Sequence, residues 1–263
     1  LKPPSKTLFD DLYRALNSKH EGCLSMMKDS EVRKFSSEVL KPARGVVEDI
    51  AELGLDAIIG ILADGSLLAD IPVVKWFVAV GKLVSNFQAA FFVRKYSAFI
   101  RTMNNKISDD QIDALLDNLN RDPRILRKII ENILIDIDRY QTEQKAEMLS
   151  VVFLESFAKK KRFTQDEYNK IRFSIDLMHP FDGLSCLASY YQNRNKMKST
   201  EDGEERKRLD MERVEFDFSP LAMTGFLKLP AGGMYLGSSG GASISDLGTK
   251  FYEILEDSFV FQD

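Results

Sequence analysis

The sequence predicts a mainly α-helical protein: a multi-helix bundle around a buried apolar helix, with a small winged-helix-like α+β module at the C-terminal end. Three observations predict it. Apolar residues recur at three- and four-residue spacing through most of residues 5–191. Helix starts carry cap residues at the right offset, as in Ser108 with Gln111, Asp122 with Pro123, and Thr164 with Glu167. After residue 215 the pattern changes to short strand-like pieces on either side of "GGMYLGSSGG".

Each element follows from its own residues. "SKTLFDDLYRALNSKH" sets Leu8, Leu12, Ala15 and Leu16 on one helical face. Residues 44–63 predict one continuous helix, apolar from Val46 to Leu62 on one side, with Glu48, Glu52 and Asp56 opposite. Asp64-Gly65 supplies its stop. Residues 71–93 predict a long helix with Asp70 as cap and Pro72 in the first turn. Its polar residues Lys75, Lys82 and Asn86 share one narrow stripe, so the helix is expected to be buried on most sides.

Further helices start at Ser108, Asp122, Thr142 and Thr164. Ile125, Ile129, Ile130, Ile133 and Ile137 form the expected apolar face of the second of these. Leu149, Val152, Phe153, Phe157, Ile171, Ile175 and Leu177 are the expected buried positions of the last two. Pro180 ends the run, and a short helix of about residues 182–191 follows. "NRNKMKSTEDGEERKRLDMER" reads as a linker or a solvated helix. The last segment predicts a short helix, two short strands and a final helix capped by Ser245. The expected organisation is a helical domain over 1–195, a charged connector over 196–215, and a winged-helix-like module over 216–263.

The totals bound the function. With 36 basic and 40 acidic residues the 263-residue chain carries a net charge of −4, without the basic excess of a nucleic-acid-gripping domain. Nucleic acid is therefore not an expected partner. Cys23 and Cys186 make no disulfide framework and point to a reducing compartment. "LKPPSKTLFDDLYRAL" does not read as a signal peptide, and the opening on Leu1 instead of Met leaves room for a removed segment. The expected location is the cytoplasm, with membrane association left open.

That opening comes from "LLADIPVVKWFVAVGKLVSNFQAAFFVRKY". Between Lys75 and Arg94 lie 18 residues, nine of them Leu, Phe or Val, with Lys82 near the middle. A central lysine costs about 2.5–3.5 kcal/mol on insertion, while those nine residues return roughly 3–5 kcal/mol together. Ser85, Asn86 and Gln88 erode the remainder. The balance favours a buried core helix over one that leaves its fold for a membrane, and both over a stable span. Trp76, Phe77, Val80, Phe87, Phe91 and Phe92 are the candidate membrane or partner surface.

Other candidates are weaker. Lys159, Lys160, Lys161 and Arg162 end a helix, where cations suit the dipole, and could also meet an anionic partner. His20, Cys23, His179 and Cys186 lack the spacing of a zinc site, so no metal is expected. The glycine-rich stretch has neither a Walker ending nor a dinucleotide fingerprint, so no cofactor is expected. Asp136, Asp138 and Asp176 lack a partnering histidine, and no catalytic residue is assigned. No small-molecule substrate is identified.

The stretch "LLADIPVVKWFVAVGKLVSNFQAAFFVRKYSAFI" resembles a group of uncharacterised bacterial proteins with an apolar "DIPVV" helix followed by an aromatic-basic turn such as "FFVRKYSAFI". The similarity continues through "DPRILRKIIENILIDIDRYQTEQKAEMLSVVFLESFAKKKRFTQDEYNKI". "ASISDLGTKFYEIL" resembles the last strand and helix of a winged-helix module. The resemblance covers roughly residues 55–180 and 216–257. It implies no activity and associates the chain with stress or phage-defence loci. The expected role is a non-enzymatic interaction or adaptor protein with a protein partner or a second copy. One alternative is a membrane-acting effector that releases the 53–93 hairpin, and another is nucleic-acid binding through the terminal module.

Overall fold

Helix starts fall where the cap residues predict them. The computed structural model describes residues 28–42, 47, 49–50, 52–64, 73, 86–158, 162–229 and 241–258. Among these the protein is mainly helical, with ten α-helices and one two-stranded sheet. The helices are α1 (Asp29–Leu40), α2 (Leu55–Ala63), α3 (Asn86–Asn104), α4 (Asp109–Leu119), α5 (Pro123–Arg139), α6 (Glu143–Phe157), α7 (Gln165–Leu177), α8 (Gly183–Ser199), α9 (Gly203–Glu215) and α10 (Asp246–Glu256). Strands β1 (Leu227–Lys228) and β2 (Ser243–Ile244) pair antiparallel, Leu227 opposite Ile244. Among the described residues no helix is long and apolar enough to cross a membrane.

The Ser108 hydroxyl accepts from the Gln111 N–H, and the Gln111 side chain accepts from the Ser108 N–H at 2.9 Å. Thr164 and Glu167 repeat this box at the start of α7. Asp122 accepts from the Arg124 N–H at 3.0 Å, with Pro123 in the first turn of α5. Each cap satisfies donors that a helix start leaves without an internal partner.

Contacts divide the chain into two units, Leu1–Ser150 and Val151–Asp263, with the boundary inside α6. In the first unit α5 packs on α1, α3 and α4, and α2 packs on α3. Buried Leu126, Ile129, Ile130, Ile133, Leu134 and Ile137 line the inner side of α5. Ile125, expected on that side, is 48% exposed, because the burial stripe passes through its neighbour Leu126.

Helix α3 is buried on nearly every side from Phe92 to Met103. The aromatic-basic turn expected at "FFVRKYSAFI" is thus helix. The reason lies in Lys95. Its ammonium donates to the carbonyls of Asp138 (2.8 Å) and Tyr140 (2.7 Å), at the negative end of α5. A buried lysine satisfied in this way does not break an apolar helix. Tyr96 follows, its hydroxyl donating to the Val39 carbonyl at 2.6 Å.

The continuous helix expected over 44–63 is interrupted. Gly54 has extended backbone (φ −68°, ψ 158°), and the Leu53 N–H closes a tight turn onto Ile50. Helix α1 has no counterpart in the sequence expectations. It buries Val32, Phe35, Val39 and Leu40 and is tied to α4 by Arg33–Asp117 (2.6 Å) and Lys41–Asp113 (2.7 Å). The expected helix over 5–20 and most of the 71–93 helix lie outside the described residues.

In the second unit α8 is central and packs on α9, α10, β2 and the short 3-10 turn Ser219–Leu221. Phe226 stacks on Phe251 with ring centroids 4.6 Å apart, and Tyr190 meets Phe216 edge-on. Gly248 lies so close to the Phe226 carbonyl that a β-carbon would sit 2.4 Å from its oxygen. Ser245 caps α10 by accepting from the Gly248 N–H at 3.0 Å. Helix α8 runs eight residues past its expected end at 191, to Ser199, and α9 occupies most of the charged stretch that follows. Leu177, expected to be buried, is 39% exposed at the last turn of α7.

Candidate functional site

The second unit carries a cleft of about 690 Å³ walled by α8, α9 and the two strands. Helix α8 contributes Tyr190, Asn193, Arg194, Met197 and Lys198, a stripe at three- and four-residue spacing. Helix α9 contributes Arg206, Asp210 and Arg213 at the same kind of spacing. Buried Leu209 holds α9 in place, and its carbonyl accepts from the Asn193 amide at 2.9 Å. Lys228, Ser243, Ile244 and Asp246 close the far side.

Five cations and two carboxylates line this cleft. Arg213 is the most engaged: it donates to the carbonyls of Gly241 and Ala242 and pairs with Asp210 at 2.6 Å. Arg194 donates one Nη1 bond to the Thr249 hydroxyl. Arg206 spends its Nε–H on the Thr200 carbonyl at 2.7 Å. Lys228 meets Asp246 only at 3.4 Å, with both side chains exposed. Lys198 makes no hydrogen bond or ion pair among the described residues.

A second cleft, of about 430 Å³, shares Lys228 and Asp246 and is lined by Phe173, Ser174, Thr224 and Leu247. Beside it is an apolar face. Phe173, Leu177, Phe181 and Met223 are 59, 39, 79 and 78% exposed. Phe173 and Leu177 are four residues apart on α7. The Ser174 hydroxyl donates to the Thr224 carbonyl at 2.5 Å, which brings Met223 to the same edge, and the His179 N–H donates to Pro220 at 3.0 Å. This face went unnoticed at the sequence level. Its signal was the four-residue spacing of Phe173 and Leu177; Phe181 lies past the end of α7.

The sequence candidates distribute as follows. Trp76, Phe77 and Val80 lie outside the described residues, as do Lys159, Lys160 and Lys161. Phe87 and Phe91 are exposed on α3 and meet edge-on, ring centroids 4.8 Å apart. Phe92 is not on that surface: one residue on is about 100° round the helix, and it is buried and stacked on Tyr96. Arg162 is already held by Glu155 (3.4 Å) and Asp257 (3.0 Å) within the second unit.

His179 accepts from the Asp182 N–H through Nδ1, and the Cys186 thiol donates to the Asp217 carbonyl. Burial, with Asp217 and Asp182 adding, pushes that thiol up to about 11. His20 and Cys23 lie outside the described residues; among the described ones no group of metal-ligating side chains comes together. Asp136 is buried and Asp138 exposed on α5, while Asp176 belongs to α7. In comparisons with known proteins, no family model, no curated protein and no solved structure matches the chain.

Proposed function

We propose that the chain is a non-enzymatic interaction protein that docks a protein partner on the second unit. The observation that carries this reading is the exposed face of Phe173, Leu177, Phe181 and Met223. Large apolar side chains gathered on one surface are a mark of interaction sites, whereas scattered ones are ordinary. Lys170 and Lys228 in the adjoining cleft favour a partner with an apolar anchor and an acidic flank. The test is affinity purification of the full chain from producing cells. A companion in fixed proportion is expected with the native chain and lost with Phe173→Ser plus Phe181→Ser. A companion retained by the double variant would overturn the reading.

A second reading, action at a membrane, is favoured by the exposed Phe87–Phe91 pair. It predicts that Phe87→Glu abolishes leakage from liposomes. The finer reading of the C-terminal end as winged-helix-like is supported by β2 leading directly into α10 through the Ser245 cap. Nucleic-acid binding through that end would show a steep loss of affinity with salt.

A further inference from the structure

We infer that the α8–α9 cleft is a binding site for a small molecule carrying two or more phosphates. The site shares Lys228 and Asp246 with the cleft beside the α7 face, but the inference does not depend on that face having a partner.

Size comes first. About 690 Å³ falls inside the range of small-ligand sites. Charge comes second. A chain of net charge −4 gathers Arg194, Lys198, Arg206, Arg213 and Lys228 in one concavity against Asp210 and Asp246. Such an excess gathered in one cleft attracts anions.

The third point is which donors are spare. Arg213 spends three of its N–H groups on the fold. The others are oriented but incompletely used. Arg194 is held through Nη1 and Arg206 through Nε, which leaves guanidinium N–H groups for a ligand. Lys198 has no partner among the described residues. Arg194 and Lys198 are also like charges four residues apart on one helix face, an arrangement that repels unless an anion lies between them. Several spare cations call for more than one phosphate, since guanidinium and ammonium groups bind phosphate oxygens by charge-assisted hydrogen bonds.

The lining is not polar throughout. Tyr190, Met197 and Ile244 give it an apolar part that would receive a flat or apolar group attached to the phosphates. A polynucleotide is disfavoured because the cations converge in a concavity and form no stripe along a surface.

The experiment is calorimetric titration of the full chain with sodium tripolyphosphate, and separately with ADP, in about 0.15 M salt, near physiological ionic strength. Saturable one-to-one binding of either probe is expected. Lys198→Glu combined with Arg206→Glu should weaken it by about tenfold or more, the loss expected from removing charge-assisted bonds. Both positions are exposed, and an unchanged circular dichroism spectrum and melting temperature would show the variant folded. Lys207→Glu is the control. Lys207 is on α9 but outside the cleft and pairs with Glu204, so binding should be unchanged. Three results would overturn the inference: no saturable binding of either probe, equal weakening by Lys207→Glu, or tighter binding of a single-stranded oligonucleotide than of both probes.

Discussion

The two units handle their surfaces differently. In the first, cations on different helices find carboxylates: Arg33 with Asp117, Lys41 with Asp113, Arg94 with Glu143, Arg101 with Glu147. Its buried ammonium groups are spent inside the fold, Lys95 on two carbonyls and Lys145 on the Gln141 amide oxygen. In the second, Lys198 is unpaired among the described residues, Lys228 is loosely paired, and Phe173, Phe181 and Met223 are more than half exposed. The first unit also exposes Phe87 and Ile125, so what sets the second apart is the cleft that gathers its spare donors. On the proposed reading, spare donors beside exposed apolar side chains make the second unit the working one.

Substitutions can break or sharpen this contrast. The largest effect is expected at a close contact inside the second unit. Gly248→Ala puts a methyl against the Phe226 backbone, which cannot yield as a side chain would. It should destabilise by about 3 kcal/mol, read from chemical denaturation. Next comes a buried lysine of the first unit. Lys95→Met leaves the Asp138 and Tyr140 carbonyls without their donor and should cost about 1–3 kcal/mol. Ser245→Ala removes the cap of α10 and should cost about 1 kcal/mol.

A smaller effect separates the units by pH. Burial holds the Lys95 ammonium down to about 8 from an ordinary 10.5, with Asp138 pulling the other way. The native chain therefore gives up this proton first. Above pH 8 the unfolded chain binds more protons, and stability rises with pH. Cys186 in the second unit has the opposite sign. Its thiol is raised to about 11 from 9.0, so from pH 9 the unfolded chain ionises first and stability falls. The interval from pH 8 to 9 isolates Lys95. Denaturation midpoints should climb there for the native chain and stay flatter for Lys95→Met.

Much of the fold was legible because it rests on local chemistry. Ser108, Asp122, Thr164 and Ser245 mark helix starts by offset alone, and each accepts the expected N–H. Helix α1 was not legible: Lys28, not a capping residue type, precedes it, and buried Ser36 interrupts its apolar face. The extent of α8 was hidden for a related reason. Its inward positions after 191 are Asn193 and Arg194, which donate to Leu209 and Thr249, so polarity did not mean solvent. The cleft itself draws on residues 190–198, 206–213, 228 and 243–246, which only the packing of α8 on α9 and the strands brings together. Read along the chain, those charges are a solvated run. The exposed face was equally concealed, since Phe173 and Leu177 sit at helical spacing and so resemble core positions.

The contrast between the units is tested most directly by comparing two exposed apolar positions in cells. A photo-activated cross-linking residue would replace Leu177 on α7 of the second unit or Ile125 on α5 of the first, which is the more exposed of the pair. A discrete protein adduct at 177, with none at 125, is the expected result. Adducts at 125 alone, or the same adducts at both positions, would contradict the assignment of the working surface to the second unit.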